Sequence, residues 1–213
     1  MEELMPEYSQ IQTYVKYNKE KFRLIISQYT DVLTALGFDK GYIHDNFSEA
    51  VWEVETDGYA YVCCNTEMTD ICIRNTIMRM RPFLIGMKDQ RQSQSEEYWI
   101  ALEILFETEQ VTKDYNTGLL RDEVKKSIWD IMVIFSDTFS ETGVYFTDEV
   151  TDGRSWKATI ADGKDIWSFD AAIIPKTARR FYINAPEDFK EVVFGEKLGI
   201  IRMSAWENLP WEC

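Results

Sequence analysis

The sequence predicts an α+β fold, with long amphipathic helices packed on an antiparallel β-sheet formed mainly by the C-terminal third. Apolar residues recur at helical spacing in the first two thirds of the chain, and short β-rich runs follow from Val144 onward. A chain of 213 residues is long enough to bury a core without disulfides or metals. We therefore predict one domain over residues 1–213, with a possible subdomain break near 86–95 that separates a helix plus hairpin (1–90) from two helices plus a meander (96–213).

The first third predicts a helix followed by a hairpin. Residues 8–36 predict one long helix, because apolar residues recur at steps of three, four or seven and Gly37 follows as a C-cap. The segment "AVWEVETDGYAYVCCN" predicts two strands joined through Asp57-Gly58, a dipeptide that suits a tight turn. Residues 67–85 fit either a helix or a strand.

The remainder predicts two helices and then a β meander. One helix begins near Ser95, a good N-cap, and a second spans about 120–140 with apolar residues on one stripe. Turn-forming stretches then separate short strand-like runs, which are "VYFTDEV", "SWKATI", "IWSFDAAII" and "RRFYIN". The segment "PEDFKEVVFG" predicts a short helix, and "LGIIRMS" predicts a last strand.

The charge is strongly acidic but unevenly distributed. The formal net charge is −14, yet residues 74–92 hold five cations against one anion, so the rest of the chain carries −18. Such a field repels nucleic acids and anionic membranes and attracts basic partners, although negative charge also serves solubility alone. We expect the arginines of this basic island to pair with acidic groups of the same chain or of a second copy.

Location and cysteine chemistry both favour a reducing compartment. The N-terminus "MEELMPEYSQ" has no basic and apolar signal-peptide regions, and no run approaches the ~18 apolar residues of a membrane span. We therefore expect a cytoplasmic protein without a membrane partner. The adjacent Cys63 and Cys64 would point to opposite faces of a strand, so Cys63, Cys64, Cys72 and Cys213 are expected to be free thiols.

Few residues point to catalysis. His44 is the only histidine, and zinc motifs and glycine-rich phosphate loops are absent from the sequence. We therefore predict a non-enzymatic protein without a cofactor. The alternative is a metal-dependent hydrolase that uses the carboxylates of residues 148–170. Turn geometry already accounts for Asp152-Gly153 and Asp162-Gly163 in that region.

Binding residues are predicted in two places. The first is an acidic rim on the β-rich turns, formed by Asp148, Glu149, Asp152, Asp162 and Asp165. The second is the tail "SAWENLPWEC", which either docks on the body or presents Trp206 and Trp211 as aromatic anchors for a partner.

These residues predict a non-enzymatic acidic protein that neutralises a basic protein partner, such as a toxin or a defence nuclease. Bacterial immunity proteins and phage inhibitors of host defence are of this type. The hydrolase is the first alternative, and a structural or oligomer-forming protein is the second.

Overall fold

The computed structural model describes residues 8–54, 60–63, 66–88, 97–147 and 166–212. Their strands are β1 Tyr8–Lys16, β2 Val51–Val54, β3 Ala60–Cys63, β4 Thr69–Ile73, β5 Thr76–Lys88, β6 Tyr98–Glu107, β7 Thr112–Asp114, β8 Leu119–Leu120, β9 Val144–Thr147, β10 Ala171–Pro175, β11 Phe189–Phe194 and β12 Lys197–Arg202. The helices are α1 Phe22–Leu36, α2 Lys40–Phe47, α3 Thr108–Val111, α4 Asp122–Thr138 and α5 Met203–Trp206, with a 3-10 turn at Arg179–Phe181.

One antiparallel sheet of ten strands dominates the described residues. Its order is β11-β12-β10-β9-β1-β6-β5-β3-β2, and β4 also pairs with β5; β7 and β8 form a separate ribbon. Strands from the two halves of the chain therefore lie side by side in one sheet and meet where β9 pairs with β1. The α+β class is as predicted, but the sheet is not confined to the C-terminal third.

Two helices cover one face of this sheet. The apolar side chains of α1 and α4 form a single core with Ile11, Ile104 and Phe146 of the central strands. The Tyr29 hydroxyl of α1 donates to the Glu103 carbonyl of β6 at 2.5 Å, which ties the helix to the sheet backbone. Helix α1 ends as predicted at Gly37, whose φ of 94° is favourable for glycine.

A smaller apolar cluster covers part of the opposite face. Tyr14, Trp99 and Tyr145 pack there with Phe169 and with Tyr182, which follows the 3-10 turn. The Tyr145 and Tyr182 hydroxyls lie 2.9 Å apart, so each buried phenol has the other as its hydrogen-bond partner. The central strands are thus covered on both faces.

Three predicted helices are wrong in whole or in part. Residues 8–16 form β1, so the helix predicted over 8–36 begins only at Phe22. The helix predicted from Ser95 is instead β6, and "PEDFKEVVFG" contains β11. The helix predicted over 120–140 is confirmed as α4, whose expected apolar stripe is buried. "LGIIRMS" contains most of β12 as predicted, whereas "RRFYIN" contains the 3-10 turn.

The ambiguous stretch 67–85 forms strands β4 and β5. Arg74 and Asn75 have φ values of 48° and 68° between paired Ile73 and Thr76, which is the geometry of a two-residue hairpin turn. Pro82 lies in β5 between the part paired with β4 and the part paired with β3. Proline lacks an N–H group, and this gap between two partners is where a strand tolerates it.

Strand β2 pairs with β3 as the predicted hairpin requires, with Val54 opposite Ala60. The Asp57-Gly58 turn itself lies outside the described residues. The predicted subdomain break near 86–95 falls partly on residues 89–96, which also lie outside them.

Gly199 of β12 allows α4 to approach the sheet closely. A Cβ atom at this position would lie 2.7 Å from Trp129 Cη2 and 3.0 Å from Phe194 Cε1. We expect Gly199→Ala to lower the free energy of unfolding by about 1–3 kcal/mol, because the buried indole must shift. Chemical denaturation measures this change. Adding Trp129→Phe removes the clashing atoms, so the double variant should lose less stability than the two separate losses combined. Full stability of Gly199→Ala alone would contradict the close packing.

Candidate functional site

The densest negative charge of the chain lies between residues 31 and 70. This segment has nine carboxylates against one lysine, which gives −8 of the total −14. The carboxylate residues that the structure describes there are all exposed, and we call them the acidic surface: Asp31, Asp39, Asp45, Glu49, Glu53, Glu67 and Asp70. The sequence prediction overlooked this segment, although counting charges in a sliding window would have found it.

Helix α2 is the element that organises the acidic surface. Its N-cap is Asp39, whose side chain accepts hydrogen bonds from the N–H groups of Gly41 at 2.8 Å and Tyr42 at 3.2 Å. The helix packs on α1, and the Tyr42 hydroxyl donates to the Glu67 carbonyl at 2.7 Å. Asp39 and Asp45, at the cap and within α2, therefore share one region of the surface with Glu67, on the approach to β4.

Strand β2 borders this region and ends the sheet. It pairs with β3, and within the described part of the chain its other side is an open strand edge. Val51 and Val54 are 38% and 46% exposed, and the exposed Glu53 lies between them. We call residues Val51–Val54 the β2 edge.

Trp52 of the β2 edge is half-buried in an aromatic cluster. Its ring stacks on Tyr17 with centroids 4.0 Å apart, and Phe22 and Tyr98 contact it edge-on at 6.4 and 5.8 Å. Tyr17 directly follows β1, and three strands separate β1 from β2 in the sheet order. The contact between Tyr17 and Trp52 therefore shows that the sheet curls toward α1. Burial raises the pKa of the Tyr17 phenol above its ordinary value. The aromatic cluster is therefore uncharged, and it packs against one face of the exposed β2 edge.

The acidic rim predicted at Asp148, Glu149, Asp152, Asp162 and Asp165 lies outside the described residues. The nearby Asp170, from the hydrolase alternative, is buried and forms an ion pair with Arg202.

The predicted aromatic anchors of the tail are placed by the structure. Trp206 is 0% exposed and packs edge-on against Trp129 at 6.3 Å, while Trp211 is half-buried with its ring 5.3 Å from the same indole. The tail therefore docks on the body, which is one of its two predicted positions. Trp206 is inaccessible in this arrangement, so its assignment as an anchor is corrected.

Two lysines of α4 fix the docked tail. Lys125 Nζ, on a side chain only 8% exposed, lies 2.7 Å from Asp122 Oδ1 and 3.5 Å from Glu207 Oε2. Lys126 Nζ donates to the Pro210 carbonyl at 2.6 Å. The hydrogen bond and charge of Lys125 lower the pKa of the Asp122 carboxyl. The tail is thus held by charge as well as by packing.

The basic island is largely used inside the chain. Arg74 pairs with Asp130, and Arg79 Nε lies 3.5 Å from Glu107 Oε1. Arg81 donates to Thr66 Oγ1 at 3.2 Å and lies over the Phe83 ring. The internal pairing predicted for the island is confirmed for Arg74 and Arg79. The Lys88 side chain and Arg91 lie outside the described residues.

Groups with catalytic chemistry do not converge in the described part of the chain. No three His, Cys, Asp or Glu residues within it are grouped closely enough to hold a metal ion. His44 and the free thiol of Cys72 are both exposed. A cleft of about 350 Å³ includes Ser136 and Lys197, with Lys197 Nζ 2.9 Å from Ser136 Oγ. However, Lys197 pairs with Asp137 and the Ser136 hydroxyl donates to Val133 of its own helix, as in an ordinary structural contact.

Comparison of the chain with protein-family models, curated proteins and solved structures finds no match. Within the described ranges, each helix is too short or too polar to cross a membrane.

The two tail tryptophans should differ in their effect on stability. Trp206→Ala leaves a large cavity in the core and should lower the free energy of unfolding by about 3–5 kcal/mol. Trp211→Ala removes a half-buried contact and should cost about 1–3 kcal/mol. Chemical denaturation of both variants provides the comparison. Equal and negligible losses would mean that the tail does not dock in solution.

The pKa of Asp122 should report its ion pair with Lys125. Lys125→Met removes the ammonium partner, so the Asp122 pKa should rise toward the ordinary carboxyl value in an NMR titration. Because the folded-state pKa is lowered, this pair stabilises the fold above the unfolded pKa, and the gain is lost as pH falls through the folded one. Lys126→Met is the matched control and should leave the Asp122 pKa lowered. An unchanged Asp122 pKa in Lys125→Met would assign the effect to another charge.

Proposed function

We propose that this protein is a non-enzymatic binding protein that neutralises a basic protein partner through its acidic surface. The observation that carries the proposal is the concentration of −8 formal charge in residues 31–70, with every described carboxylate there exposed. Bacterial immunity proteins and phage inhibitors of host defence act by such neutralisation. The exposed thiol of Cys72 suits the reducing cytoplasm, where partners of this kind are met.

Electrostatic steering is the physical reason that this surface suits a basic partner. Like charges that are concentrated in one region create a potential that raises association rates by about 10–1000-fold, and salt screens it. Two arginines of the basic island, Arg74 and Arg79, are paired with Asp130 and Glu107, which lie outside residues 31–70. The exposed carboxylates on and around α2, such as Asp45 and Glu49, therefore act on approaching molecules.

Aromatic side chains next to the acidic surface supply a place for short-range contact. Tryptophan and tyrosine are enriched at the centres of protein interfaces, where they contribute most of the binding energy. Trp52 is half-buried against Tyr17, beside the exposed Val51 and Val54. Trp211 keeps a partly exposed position in the tail and is a second candidate anchor. Charge thus directs the encounter and aromatic contact retains the partner.

Charge neutralisation tests the proposal. The triple variant Asp45→Asn, Glu49→Gln, Glu67→Gln removes three exposed carboxylates around α2 without touching the Asp39 cap. Proteins captured from source-cell extract by the wild type are purified, and their association rates are measured at low and high salt. We expect the triple variant to associate about tenfold more slowly at low salt and to show weaker salt dependence.

The matched control is Glu187→Gln, Glu191→Gln, Glu212→Gln, which removes the same charge from exposed positions elsewhere. It should lower the association rate much less. A third variant that neutralises Asp148, Glu149, Asp152, Asp162 and Asp165 measures the contribution of the predicted rim. The proposal is refuted if a captured partner binds equally fast at all salt concentrations and to all three variants. The negative charge would then serve solubility alone.

A further inference from the structure

Taking the proposed function as its basis, we infer that the β2 edge binds an extended basic segment of the partner as an additional antiparallel strand. Main-chain hydrogen bonds provide affinity in this mode of recognition, and alternate side chains provide specificity. The observation behind this inference is an open strand edge that combines exposed valines, a supported tryptophan and neighbouring carboxylates.

The β2 edge is better suited to strand addition than the opposite edge of the sheet, β11. The Met203 N–H donates to the Asp188 carbonyl at 2.7 Å, so the backbone of Asp188 faces β12. Hydrogen-bonded pairs alternate along an antiparallel strand, so the backbone groups of Phe189, Glu191 and Val193 point outward. The outward N–H of Phe189 is already bonded to the Pro186 carbonyl at 2.9 Å. Exposed Lys190 and Glu191 also place both signs of charge on β11, which discourages edge pairing.

Carboxylates outnumber cations around the β2 edge, where Arg23 of α1 donates to the Ser48 carbonyl at 3.1 Å. Glu53 is the charged residue within it, Glu49 precedes it by two positions, and Asp45 lies on the adjoining helix α2. A second copy of the chain would bring these carboxylates against their own images, and like charges opposite each other destabilise strand pairing. A segment bearing lysine or arginine has the complementary charge. The occupant is therefore a basic partner rather than another copy.

The pleat of β2 defines the side chains that such a segment needs. Trp52 and Val54 share one face of the strand, while Val51 and Glu53 share the other. Residues directly opposite each other in an antiparallel pair have Cβ atoms about 4.5–5.5 Å apart. The segment should place a cation opposite Glu53 and apolar or aromatic residues opposite Val51, Trp52 and Val54. Read antiparallel to β2, this is the pattern apolar, basic, aromatic, apolar.

A designed peptide tests the inference with the full chain. The probe is a capped peptide of about eight residues with the core Val-Lys-Phe-Val, a length typical of one strand. Binding is measured by NMR shift changes, and hydrogen exchange at the β2 amides is followed at the same time. We expect binding together with slower exchange of the outward β2 amides. A peptide with proline in place of the central phenylalanine lacks an N–H and should bind at least about tenfold more weakly.

Charge reversal on the protein gives the second arm. Glu53→Lys should weaken binding of the peptide about tenfold, and Glu191→Lys, at the centre of the β11 edge, should change it less than about twofold. Thermal denaturation confirms that both variants fold. Equal binding of the proline peptide, or equal effects of the two reversals, would overturn strand addition at β2.

The peptide result is distinguishable from the test of the proposed function. If the peptide does not bind but capture of a basic protein still depends on Asp45, Glu49 and Glu67, the β2 edge inference is wrong and the proposed function stands. If the peptide binds at the β2 edge while capture is insensitive to these carboxylates, the acidic surface is not the site of neutralisation.

Discussion

The buried polar side chains of β1 are the constraint on which the sheet depends. This strand lies at the centre between β6 and β9, and Gln12 and Thr13 are fully buried. Gln12 Nε2 donates to Thr147 Oγ1 at 2.8 Å, Gln12 Oε1 accepts from the Tyr14 hydroxyl at 2.6 Å, and Thr13 Oγ1 donates to the Gly143 carbonyl at 2.7 Å. A one-residue slip would exchange the two faces and leave these groups unsatisfied in the core. The network therefore fixes the register of β9 against β1.

The burial pattern of each element explains whether it could be predicted from the sequence. Helix α4 buries one face, so its apolar residues recur at the helical period and the prediction was correct. Strand β6 is buried on both faces, which erases the alternation that identifies a strand. In β1 the polar residues face inward, and the spacing of Ile11 and Val15 matched a helix by coincidence. Both errors arose because tertiary position, rather than local pattern, determined burial.

The candidate site also contains one feature that the sequence could predict and one that it could not. The acidic surface is a local property of residues 31–70 and could have been found by counting charges. The β2 edge could not, because only the strand order places Val51–Val54 at the end of the sheet. The tryptophans illustrate the difference: Trp206 is enclosed by α4 and the tail, whereas Trp52 lies on a border strand. Residue type alone does not distinguish a core tryptophan from an interfacial one.

Charge pairing ties two arginines of the basic island to acids outside the acidic surface. The β4–β5 hairpin and the adjoining part of β5 place Arg74 and Arg79 against Asp130 and Glu107, so these cations are already paired close to a region of −8 formal charge. Concentrated like charge destabilises a compact state through self-repulsion, and exposure to water and salt keeps that cost small. A basic partner would remove the remaining repulsion when it binds. The electrostatic term that opposes folding of the isolated chain therefore favours the proposed complex.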